Sequence, residues 1–200
     1  MNRHFRALLV AAVALCVQFA HAQAQPKFQF AGTVTYGSYL ALEGAKVTGT
    51  FSYNVETQSP REQIALYGTP GAKVVQYGMG SPAGMSLKVG PHTITAAGVM
   101  VSVHDDMDTH FEDMVTISGG FVPSVGAGGI VLDGTTYSNG VFSLALATTA
   151  GKTRVLQDTS LPQAYNVKAF DGESAGIVMS GTGENFVLLI FHIDSIRRTN

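Results

Sequence analysis

The chain of 200 residues is 46% hydrophobic and 13% charged, with 12 basic against 14 acidic side chains and a formal net charge of −2. So much apolar residue and so little charge exclude a disordered chain and a coiled coil. The near balance of charge excludes a protein held to nucleic acid by neutralising phosphates, and a single Cys excludes a disulfide-stapled scaffold.

The N-terminus reads as a secretory signal peptide over residues 1–22. Arg3 and Arg6 supply its positive start, Ala7 to Ala20 its mostly apolar stretch, and Ala20-His21-Ala22 a small-x-small cleavage pattern. Ala22-Gln23-Ala24 offers a second cleavage point, so cleavage is expected after Ala22 or after Ala24. The apolar stretch falls short of the ~20 residues that a membrane helix needs. Cys16 lies inside it behind Leu15, where a lipidation site would place a small residue, so no lipoprotein anchor is expected. The mature chain then has no cysteine, hence neither a thiolate nucleophile nor a Cys-ligated metal. It has no further run of ~18 apolar residues, so no transmembrane segment is expected in it. Residues 23–200 are read as a single all-β domain, secreted or periplasmic in a bacterium.

Period-2 alternation opens that domain. Phe28, Phe30, Gly32, Val34 and Tyr36 share one side of a strand, with Gln29, Thr33 and Thr35 on the other. Val47, Gly49, Phe51 and Tyr53 alternate with Lys46, Thr48, Thr50 and Ser52 in the next. Ser59-Pro60-Arg61-Glu62 has the form of a capping box with Pro at the first helical position, and predicts one or two helical turns over Gln63 to Leu66. Strands follow at Met85–Val89 and His92–Ala96 with Gly90-Pro91 between them. Others follow at Val99–Val103, Phe111–Ile117, Phe142–Leu146 and Ile177–Met179, with a weaker one over Tyr165–Phe170. A second short turn is expected between Leu156 and Leu161, before Pro162. Phe186 to Ile193 is apolar on both sides apart from His192, which predicts a central strand covered on both faces. About ten strands, frequent Gly turns and little helix predict an antiparallel β-sandwich, with a closed β-barrel as the alternative.

The concentrated polar cluster runs from His104 to Asp113, with five carboxylates and two imidazoles. Two readings stand. One is a solvated turn between strands, since Asp is a favoured turn residue. The other is a Ca²⁺ site, since calcium takes six to eight oxygens and such a loop supplies them. The candidate ligands are Asp106, Asp108, Glu112 and Asp113. The EF-hand spacing is absent, because Phe111 stands where its tight-turn Gly belongs. His104 and His110 with one carboxylate would suit zinc instead. No cofactor is expected beyond this Ca²⁺. Asp113 is singled out because it shares a side with Phe111, Val115 and Ile117, so its carboxylate needs backbone donors, a Lys or an ion.

Gly172-Glu173-Ser174-Ala175-Gly176 matches the G-x-S-x-G pattern and resembles the serine esterase motif. That motif raises its Ser on a strained turn between a strand and a helix, whereas Ile177-Val178-Met179 reads as strand. Between Ser174 and His192 only Glu184 would qualify as the acid of a triad. His92 and His192 are both read as core histidines.

Three segments resemble one protein family. Phe28-Gln29-Phe30-Ala31-Gly32-Thr33-Val34 is similar to an F-x-F-x-G-x-V opening. Val47-Thr48-Gly49-Thr50-Phe51-Ser52-Tyr53-Asn54 is similar to V-x-G-x-F-x-Y-Asn/Asp. Val101 to Asp106 and Leu161-Pro162 fit more loosely. The chain resembles a group of bacterial exported β-sandwich proteins, many of which carry a C-terminal PEP-CTERM sorting segment; Ser195 to Asn200 is not read as such a tail. The resemblance implies export and a β-sandwich, and implies no activity and no catalytic residue.

The expected function is therefore that of an exported, non-enzymatic β-sandwich, binding or structural, at the cell envelope or outside it. Its expected partner is a glycan or another envelope protein, and not nucleic acid. The alternative is a secreted hydrolase, esterase-like through Ser174 or a glycosidase built on carboxylates.

Overall fold

The computed structural model describes residues 26–38, 40–53, 61–64, 73–79, 84–96, 98–105, 111–121, 130–132, 134–149, 155–181 and 186–199. The expected signal peptide lies outside the described residues. Alternating residues build the first strands: β1 (Lys27–Gly37) and β2 (Lys46–Ser52) bury Phe28, Phe30, Val34, Val47 and Phe51 on one face, while Tyr36, expected on that face, is exposed because the register shifts between Val34 and Tyr36. Between them the chain turns through a 3₁₀ segment, Leu40–Leu42, and Gly44 at φ 77°, a left-handed conformation that suits a residue without Cβ.

Downstream come β3 (Arg61–Ile64), β4 (Lys73–Met79), β5 (Gly84–Val89), β6 (His92–Ala96), β7 (Val99–Asp105), β8 (Phe111–Phe121), β9 (Ile130–Leu132), β10 (Thr135–Thr149), β11 (Gly172–Gly181) and β12 (Phe186–Thr199). All of them join one antiparallel sheet in the order β3-β4-β7-β8-β10-β11-β12-β1-β2-β5-β6, with β9 paired to β10. The all-β, antiparallel expectation holds, and the sheet curls into a half-barrel. Curling brings β6 back against β8, where Ala96 packs so close to Gly119 that a Cβ on the glycine would stand 2.8 Å from the Ala96 Cβ.

The inner face is a single hydrophobic cluster running through the sheet and into the segment 155–171. Phe28 stacks on Phe51 with ring centroids 5.0 Å apart, and Phe30 lies 6.4 Å from Phe191. The 155–171 segment crosses this face as a strap without strand structure, burying Leu156, Leu161, Tyr165 and Phe170. Among the described residues no helix is long and apolar enough to cross a membrane.

Four more local readings change. Arg61–Ile64 is the strand β3, paired with β4 from Arg61↔Gln76 to Ile64↔Lys73, and not the start of a helix. A capping box is a local preference, and pairing to a neighbouring strand outweighs it. Tyr165–Phe170 is not a strand: Val167–Ala169 is a 3₁₀ turn within the strap. Residues 157–160 between Leu156 and Leu161 form bends rather than a helical turn. Finally, β12 is central, lying between β11 and β1, but only one of its faces is covered. Val187, Leu189, Phe191 and Ile193 are buried, while Phe186, Ile190 and His192 are exposed.

Candidate functional site

The acidic end of β7 and β8 is where the structure concentrates buried polar groups. Asp105 follows Val101 and Val103 on the inner face of β7 and is 4% exposed. Asp113 precedes Val115 and Ile117 on the inner face of β8 and is 0% exposed. The two are direct cross-strand partners, a relation that brings Cβ atoms to about 5 Å.

A bulge shapes the same corner. Met114 pairs with Ala147 and Phe111 with Thr149, so Glu112 and Asp113 of β8 together oppose the single Thr148 of β10. Thr148 is 0% exposed, and its Oγ1 accepts the Asp113 backbone N–H at 2.9 Å. Asp113 Oδ2 accepts two backbone N–H groups of the strap, from Val155 at 2.6 Å and Leu156 at 2.7 Å. Backbone donors thus satisfy one oxygen of the carboxylate. Asp113 Oδ1 is equally buried and has no hydrogen-bond partner.

Of the four candidate metal ligands, Asp106 and Asp108 lie outside the described residues, as does His110, and nothing is described of the Glu112 side chain. Asp113 alone of the four is placed. Asp105 was not among them; its parity with Val101 and Val103 is the signal that marks it as inward-facing. His104 alternates to the other face, where burial holds its imidazole below the usual histidine range.

A second polar group lies under the strap. The Tyr53 hydroxyl donates to the Pro162 carbonyl and stands 3.0 Å from the Tyr165 hydroxyl. The Tyr77 hydroxyl donates to the Thr159 carbonyl at 2.7 Å. Burial pushes the Tyr53 and Tyr165 phenols well above the ordinary tyrosine range, and Tyr77 is raised by burial and then by Asp158.

The G-x-S-x-G stretch is straight. Gly172 to Gly181 is one strand, paired with β10 from Ala147↔Gly172 onward and with β12 from Ala175↔Phe191 onward. His192 is not a core histidine: its side chain is 57% exposed on the outer face, and its Nε2 lies 3.7 Å from Asp194 Oδ1. A triad search confined to acids before the histidine passes over Asp194, which shares its face two residues on.

The outer face also carries an apolar row. Tyr36 pairs with Ile190, and Val178 with Val141, and all four are exposed. No protein-family model, curated protein or solved structure matches the chain.

Proposed function

We propose that the chain is an exported, non-catalytic β-protein with a binding or structural role at the cell envelope or outside it. The observation that carries this reading is the course of β11. A serine nucleophile needs a strained turn that lifts its hydroxyl away from the sheet, and Ser174 sits inside a paired strand, opposite Ala145. Much of the buried polar chemistry is also committed to the fold, since Tyr53, Tyr77 and Asp113 each tie the strap to the sheet. The inner face is filled by the chain's own side chains, so a partner meets the outer face, the edges or the loops. We read the half-barrel as sandwich-like where β6 is laid over β8.

The test is turnover by the purified exported chain on a panel of p-nitrophenyl esters and polysaccharides, alongside a glycan array and in-cell crosslinking. The expected result is no turnover, with a glycan or an envelope protein captured specifically. Ester or glycan hydrolysis that disappears in Ser174→Ala or Asp105→Asn would overturn the reading in favour of a hydrolase. N-terminal sequencing of the exported protein should begin at Gln23 or Gln25.

A further inference from the structure

We propose that the Asp105–Asp113 corner is a binding site for a hard divalent cation, with Ca²⁺ as its occupant. Three observations converge. Two carboxylates, 4% and 0% exposed, face each other across adjacent strands. Asp113 is held firmly by two strap N–H groups on Oδ2. Its Oδ1 is then left buried without a donor. A carboxylate oxygen in that position has given up its hydration for nothing in return, unless a cation meets it.

The donor set decides the class of ion. Asp105, Asp113 and Thr148 offer oxygen and no sulfur, and His104 leaves on the opposite face. Oxygen-only sites suit Ca²⁺ or Mg²⁺ and not zinc. Mg²⁺ demands near-ideal octahedral geometry, whereas Ca²⁺ accepts an irregular set completed by carbonyls and water. The bulge at Glu112 and Asp113 makes the backbone of this corner irregular. Lys73 is the register partner of Asp105 on β4. By register the row therefore holds two carboxylate residues and one lysine. The ion would also fasten the strap, because the carboxylate that binds it holds Val155 and Leu156.

The test is thermal unfolding and equilibrium dialysis of the exported chain with CaCl₂ or EDTA. It compares wild type with Asp105→Asn and with an Asp106→Ala/Asp108→Ala double variant. The expected result is one Ca²⁺ bound per chain and a rise in Tm of about 5–10 °C at saturation. Both should be lost in Asp105→Asn and kept in the double variant. The circular-dichroism spectrum of Asp105→Asn in EDTA should match that of wild type, which shows that the variant folds. A wild-type Tm indifferent to Ca²⁺, Mg²⁺ and EDTA overturns the proposal. A Ca²⁺ response that survives Asp105→Asn but is lost in the double variant overturns it too, by placing the ion at Asp106 and Asp108.

Discussion

The hydroxyls of Tyr53 and Tyr165 meet 3.0 Å apart, joining the end of β2 to the strap across 112 positions of sequence. Both rings pack on Phe28, with centroids 5.3 and 5.1 Å from it. The pair gives each amphipathic side chain what it needs, an apolar bed for the ring and a partner for the oxygen. Tyr53→Phe keeps the ring and removes a donor, leaving the Pro162 carbonyl and the Tyr165 hydroxyl each short of a bond. The expected cost is about 1–3 kcal/mol, read as a fall in urea midpoint at unchanged slope. An unchanged midpoint would mean that the strap is held by its apolar contacts alone.

Alkaline pH should loosen the same contact. An unfolded tyrosine ionises near pH 10, while burial raises the folded pKa of Tyr53 and Tyr165 above that value. Below pH ~10 both states keep their protons and stability is at its full value. Above it the unfolded chain releases protons that the folded chain retains, so stability falls as pH rises through the folded pKa values. The expected signature is a tyrosinate absorbance titration in which the buried phenols resist until the chain unfolds in a single step. Tyr53→Phe should make the loss of stability with alkaline pH shallower. Smooth titration of all tyrosines near their ordinary pKa, with the fold intact, would refute the burial argument.

What could be read in advance was set by local periodicity. Phe28, Phe30 and Val34 declare their face by alternation, and parity alone placed Asp113 inside among Val115 and Ile117. The β4 strand is harder to see because Val74 and Val75 are both buried in succession, so the period breaks. β3 is masked by a capping box whose local preference yields to pairing with β4. The strap could not be foreseen, because its order comes from distant groups: Asp113 for Val155 and Leu156, and Tyr53 for Pro162. The Asp105–Asp113 pairing likewise depends on the β7–β8 register, which lies beyond either strand taken alone.

Close packing makes one glycine sensitive and leaves another tolerant. At Gly49 a Cβ would run into the Phe30 ring and the Ser86 carbonyl. Because the carbonyl is backbone, relief requires the strands to move, and Gly49→Ala should cost about 1–3 kcal/mol or more. Gly78, in β4, has nothing within 4 Å of its Cβ position. Gly78→Ala should be neutral or stabilising by about 0.4–1 kcal/mol, because it narrows the unfolded ensemble. Paired chemical denaturation curves test the contrast, and equal effects at the two positions would contradict the packing described around β2.

The curled sheet has one filled and one open face, so neighbouring residues on a strand should respond oppositely. Ile177 is 1% exposed and Val178 is 49% exposed, one residue apart on β11. Ile177→Ala removes core volume between packed strands and should cost about 2–5 kcal/mol. Val178→Thr keeps the β-branched shape on an exposed position and should stay within about 0.5 kcal/mol. Its cross-strand partner Val141 and the adjacent Ile190 should tolerate the same kind of change, since neither lies on the filled side. Circular-dichroism melts of the single variants decide it. A large loss at Val178 would show that a second surface, from this chain or another copy, covers the outer face in solution.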